Sequence, residues 1–213
     1  MNRWLGAAAA PLFALAACNV STPSNNAGDA TDVGAAAEKV PAVNVAGDTS
    51  FLSAEDKQVV NLLIQAADLM SPIYLRQAAA NNPDVRAKIE ASGDKKLLAK
   101  FDANMGPWDG FEGDKPFFGN AAKPAGAGFY PADLSKEQFD AYLAAHPGEK
   151  GALTDPYTVV QRQGDQLVAV PYHEAYKEWL EPAAKLMEQA AAITTNPSLK
   201  KFLTLRAAAF RTD

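Results

Sequence analysis

From Ser53 onward, apolar residues recur at the three- and four-residue spacings of helices, punctuated by glycine, proline and asparagine. The run SAEDKQVVNLLIQAADLM places Leu62, Leu63, Ala66, Ala67 and Met70 on one face of a first helix. Ser53 suits its N-cap, because the hydroxyl accepts from an unpaired first-turn N–H, and Glu55 and Asp56 add favourable charge at that end. The pattern continues past Pro72 to about Ala80, which predicts a helix kinked at the proline. Asn82-Pro83 restarts a helix by the cap-plus-proline rule, Ser92-Gly93 interrupts it, and Lys95 to about Ala103 resumes. Ser135 to Gln138 is a capping box for a helix ending near His146-Pro147. A long alanine-rich helix is predicted from about His173 to Thr194. After Asn196-Pro197 comes a last one, with Leu199, Phe202, Leu203, Leu205 and Ala209 inward.

The period shortens to that of strands in Tyr157–Arg162 and Gln166–Pro171. Gln163-Gly164-Asp165 joins them, so these segments predict a β-hairpin. The expected fold class is therefore α+β, predominantly α-helical with one β-hairpin or small sheet. Between Asn104 and Leu134 the run NMGPWDGFEGDKPFFGNAAKPAGAGFYPADL is too rich in glycine and proline for regular structure, yet it carries Trp108, Phe111, Phe117, Phe118, Phe129 and Tyr130. Loops with this many large side chains pack on the protein body and often carry function. Two readings stand: a binding loop in which Trp108, Phe129 and Tyr130 contact a substrate, or rings that merely pin an irregular connection.

The start of the chain changes the picture. MNRWLGAAAAPLFALAAC has a basic start, an apolar stretch too short to span a membrane and small residues before Cys18, which reads as an export signal. Leu15-Ala16-Ala17-Cys18 resembles a bacterial lipobox; an ordinary signal with a chance cysteine is the alternative. The expected organisation is a lipoprotein signal peptide over 1–17, a lipidated Cys18 with a disordered tether over 18–50, and a folded part over 51–213. The tether expectation rests on a small, polar composition that buries too little surface to order itself. Membrane attachment through the lipid on Cys18 follows. So does a bacterial envelope location, expected at the outer membrane facing the periplasm because Asn19 is no aspartate-type retention signal.

Charge and residue counts remove several function classes. Loss of Arg3 with the signal leaves 19 basic residues against 25 acidic ones, a net charge of −6, so nucleic acid is not an expected partner. The single cysteine forbids an intrachain disulfide. Ser-His-Asp order, phosphate loops and nucleotide fingerprints are all missing. Residues 173–178, HEAYKE, begin like the zinc peptidase motif H-E-x-x-H but continue with Lys177 and Glu178. The chain has 2 histidines, His146 and His173, whereas a catalytic zinc takes about three protein ligands. No catalytic and no metal residue is therefore expected in this chain.

Four runs carry a family resemblance: NMGPWDGFEGDKPF, KPAGAGFYPADLSKEQF, LVAVPYHEAYKEWLEPAAKLMEQAA and LKKFLTLRAAAFRTD. In order from Phe51 to Asp213 they resemble the N-terminal part of bacterial dipeptidyl peptidase III-like zinc metallopeptidases. The resemblance implies the N-terminal lobe of a two-lobed peptidase whose zinc motif, H-E-x-x-x-H, lies downstream, so HEAYKE matches a segment that is not the metal site. It implies zinc in the full-length enzyme but none bound by this chain, with short peptides as substrates. Gly110 stands where relatives commonly have arginine and Gly128 where they commonly have asparagine, which puts any substrate contact of those side chains in doubt. The competing reading is a non-enzymatic envelope lipoprotein that binds a peptide or protein partner through the aromatic loop. A weaker one is an inert product of a frameshift or incomplete gene.

Overall fold

The computed structural model describes residues 47–213, so the signal, Cys18 and the tether up to 46 lie outside the described residues. Nine helices and two short antiparallel strand pairs follow within the described residues. Helix α1 (Ala54–Asp68) is capped by Ser53, whose side chain accepts from Asp56 N. It stops at Leu69, and α2 (Ser71–Ala78) begins anew with Pro72 in its first turn. The expected kink is therefore a full break. Proline cannot donate to the carbonyl four residues back and its ring crowds that carbonyl. Helix α3 (Asn82–Ser92) ends at Gly93, whose φ of 76° is the left-handed C-cap that glycine adopts without strain. Asp94 then caps α4 (Lys95–Asn104) by accepting from Lys96 N and Leu97 N.

Strands β1 (Trp108–Asp109) and β2 (Lys115–Pro116) form a minimal ladder inside the segment expected to lack regular structure. Helix α5 (Lys136–Ala145) has the full Ser135–Gln138 capping box. After α6 (Lys150–Leu153), β3 (Thr158–Gln163) pairs with β4 (Gln166–Pro171) from Thr158↔Pro171 to Gln163↔Gln166, the expected hairpin. The predicted helix from His173 is divided into α7 (Tyr172–Ala175) and α8 (Lys177–Ile193) by Tyr176, at φ −117° and ψ 18°. Tyr172 N still donates to Tyr157 O as an extension of the ladder, whereas α8 must lie between α1 and α9 (Pro197–Ala209). One non-helical residue reconciles the two directions.

Three apolar clusters hold the lobe. Val59, Ala190, Ala191 and Leu203 join α1, α8 and α9. Ile73, Tyr176 and Leu180 join α2 to α8, with Trp179 and Phe210 against them. Leu153, Val160 and Leu167 join α6 to the hairpin, covered by Tyr130, Phe139 and Tyr142. On α1, Val59 takes the inward place expected of Ala67, which is exposed. On α9 the expected inward set is also too wide. Leu203 and Ala207 are buried, but Phe202 is 54% and Leu205 61% exposed, because among the described residues α9 packs chiefly on α8, and one main neighbour covers one stripe. Among the described residues no helix is long and apolar enough to cross a membrane.

Candidate functional site

The first half of the aromatic segment is fastened from inside. Asp109 forms an ion pair with Lys100 Nζ at 3.3 Å, with both side chains under a tenth exposed, and accepts from Phe111 N at 3.0 Å. Lys100 Nζ also sits 4.5 Å from the Phe117 ring centroid. Trp108 is buried, and its Nε1 donates to Ala121 O at 2.8 Å. Asn82 was expected to cap α3; instead it lies fully inside, and its Nδ2 donates to Leu75 O and Met105 O. Its amide satisfies two carbonyls at chain breaks, a task that outweighs capping at an exposed end.

The second half approaches the surface. Gly128 N donates to Gln77 O at 2.9 Å, and Val160 N donates to Phe129 O at 2.8 Å, so residues 128–130 run from the end of α2 to the free edge of β3. Phe129 and Tyr130, both half-buried, line an open groove of about 270 Å³ with Thr154, Asp155, Thr158 and Tyr172. The Phe129 and Tyr172 rings are nearly parallel, 26° apart with centroids separated by 6.3 Å, and Tyr157 meets Tyr172 edge-on at 6.2 Å. Tyr130 turns its ring toward Phe139, 5.1 Å away. Burial pushes the Tyr172 hydroxyl up to about 12, with the neighbouring Tyr176, Tyr130, Asp213 and Asp155 adding to the effect. Tyr172 is thus a neutral donor at any physiological pH. Of the three residues singled out as substrate contacts, Phe129 and Tyr130 meet at one groove, and Trp108 lies outside its lining.

HEAYKE serves a different end. His173 N donates to Asp213 Oδ1 at 3.0 Å and its Nδ1 lies 2.6 Å from Asp213 Oδ2, while Nε2 stands 3.9 Å from Glu174 Oε1. Beside it Arg211 reaches Glu181 and Glu188, each at 2.7 Å. The bonds to Arg211 hold both carboxyls below the usual glutamate range. His146 is far along the chain, stacked on Tyr142 at 4.1 Å with its Nδ1 2.9 Å from Tyr142 O. Among the described residues no group of three His, Cys, Asp or Glu side chains stands close enough to hold a metal ion. The described residues do not fit a zinc centre.

Sequence reasoning passed over Lys100, Asp109, Asp155, Tyr157 and Tyr172. Their signal is weak, since a lysine on a short helix and an aspartate beside a turn ordinarily face water.

Two solved structures resemble this chain closely. Dipeptidyl peptidase III from Caldithrix abyssi is 41% identical with a TM-score of 0.81, over 84% of this chain and 35% of that one. Dipeptidyl-peptidase III from Corallococcus sp. strain EGB is 33% identical with a TM-score of 0.80, over 87% and 36%. The chain spans about a third of the length of both. Nudix hydrolase 3 of Arabidopsis thaliana is 25% identical over 75% of this chain and 28% of its own length. No family model matches. With both the helical layout and the sequence shared at this level, the chain has an α+β fold like that of the matched third of the dipeptidyl peptidase III structures.

Proposed function

We propose that this lobe serves in an envelope-anchored, zinc-dependent exopeptidase of the dipeptidyl peptidase III kind, where it forms one wall of the cleft that receives short peptides. The observation that carries the reading is 41% identity at a TM-score of 0.81 to a structure named as dipeptidyl peptidase III. Because the described residues offer no ligand set, this chain's part is to bind and position substrate, and the zinc belongs to the rest of the intact enzyme. The half-buried Phe129 and Tyr130 at an open groove support that division of labour.

A chimera tests it. Residues 51–213 put in place of the matched third of the Caldithrix abyssi enzyme are expected to give a folded protein that binds zinc and releases dipeptides from short peptides. A folded, zinc-loaded chimera without that activity overturns the reading and favours a non-enzymatic lipoprotein that binds its partner through the same loop.

Anchoring is tested separately. Cys18→Ser is expected to abolish lipid modification and move the protein out of the outer-membrane fraction, or leave its precursor uncleaved. Identical fractionation of mutant and wild type as soluble periplasmic protein defeats the lipobox reading.

A further inference from the structure

Helix α9 turns one apolar stripe to the core and leaves a second one bare. Leu199, Leu203 and Ala207 share the inward side. Phe202, Leu205 and Ala209, at the same three- and four-residue spacings, line a shallow groove of about 290 Å³ on the outer side together with Arg206. At about 3.6 residues per turn Lys201 falls on one flank of this outer stripe and Arg206 on the other, and Lys200 is exposed further round. No residue of Pro197–Ala209 is acidic. Arg211, just beyond the helix, is spent on Glu181 and Glu188, but among the described residues Lys200, Lys201 and Arg206 stand in no ion pair, and Arg206 lies 5.8 Å from the Phe202 ring centroid. Exposed apolar side chains between unpaired cations are the pattern of a helix that lies in a membrane interface, where the apolar groups enter the acyl boundary and the cations meet lipid phosphates. A second copy of the chain suits the stripe less, because a two-fold pairing through α9 sets the same cations against one another.

We propose that the outer stripe of α9 rests on an anionic phospholipid surface, with Phe202 and Leu205 in the interface and Lys200, Lys201 and Arg206 against the phosphates. The proposal rests on the anchoring reading for the nearness of a membrane, but the contact itself belongs to α9. The chain as a whole is negative, so the attraction is local to this helix and falls with salt.

The test uses residues 18–213 with Cys18→Ser, which contain every described residue and carry no lipid. Binding is measured by sedimentation with vesicles of phosphatidylcholine alone or with phosphatidylglycerol added. The phosphatidylglycerol vesicles are expected to bind the chain at least about tenfold more tightly, a preference lost in about 0.5 M salt. Lys201→Gln combined with Arg206→Gln, and Leu205→Ser alone, are at exposed positions; each is expected to weaken that binding by about tenfold with an unchanged circular dichroism spectrum. Cys18→Ser leaves no thiol, so Leu205→Cys carries a single environment-sensitive dye, whose emission is expected to shift to the blue on the phosphatidylglycerol vesicles. Equal binding to both vesicles, unaltered binding by the charge variant, or a bound chain whose dye is unshifted each overturns the proposal. So does a dimer that Leu205→Ser dissociates, which assigns the stripe to a second copy. A folded, active chimera that does not bind the phosphatidylglycerol vesicles overturns it as well, because the rest of the enzyme then covers α9. Cell fractionation reads the anchor and vesicle binding reads α9, so the two failures are separate.

Discussion

Asp109→Ala is expected to destabilise the lobe by about 3–5 kcal/mol, measured as the loss of unfolding free energy in urea. The substitution removes the carboxylate that Lys100 meets at 3.3 Å and leaves an ammonium inside, against the face of Phe117. It also strips Phe111 N of its acceptor. An uncompensated buried charge, more than the lost attraction, sets this magnitude. The sign of the second step follows. Lys100→Met in the Asp109→Ala background is expected to recover more than about 1 kcal/mol, because it takes away the stranded charge and keeps the apolar stem. Additive or worse behaviour of the double variant shows that the pair is not desolvated as the geometry requires. The same cycle tests the loop, since loss of the pair frees Trp108 and its bond to Ala121 O from their support.

What could be read in the chain was what is local. The Ser53 cap, the Ser135–Gln138 box, the Asn196 cap and the hairpin across Gly164 are each encoded within a few residues, and all are present. The dipeptidyl peptidase III-like fold was legible too, through four runs of sequence rather than through any one motif. The misjudged features depend on partners distant in the chain. Whether Pro72 kinks or breaks a helix depends on what α2 packs against, and here Ile73 is drawn to Tyr176 and Leu180. Periodicity marks Phe202 and Leu205 as apolar without saying that, among the described residues, α9 packs chiefly on α8. Asn82 looks like a cap until Leu75 O and Met105 O are seen to converge on it. The groove was half legible: Phe129 and Tyr130 stood out as aromatics in an irregular run. Asp155, Tyr157 and Tyr172 did not, because only the tertiary fold brings them beside that run.

Glycine 128 gives the sharpest case of such a hidden constraint. Read from the chain, it is a missing side chain where the family resemblance implies asparagine. In the fold it is the point where the aromatic segment crosses the end of α2, and a Cβ there stands 1.7 Å from Arg76 O and 2.8 Å from Arg76 C. Both are backbone atoms, so no rotamer change relieves the clash. The demand is for space rather than for a left-handed conformation, because Gly128 is not among the positive-φ glycines. Gly128→Asn, the residue the resemblance implies, is therefore expected to push the segment off α2, break the bond to Gln77 O and cost at least about 3 kcal/mol, the upper end of ordinary overpacking. Gly110→Arg is the matched control. Among the described residues a Cβ at Gly110 meets only Asn104 Oδ1, at 4.0 Å, so this second substitution is expected to change stability by no more than about 0.5 kcal/mol. Urea unfolding of the two variants decides, with the NMR signals of Phe129 and Val160 reporting whether their backbone bond survives. Equal stability of Gly128→Asn and wild type shows that the segment leaves α2 at no cost, and then the groove it lines is not held in the form described.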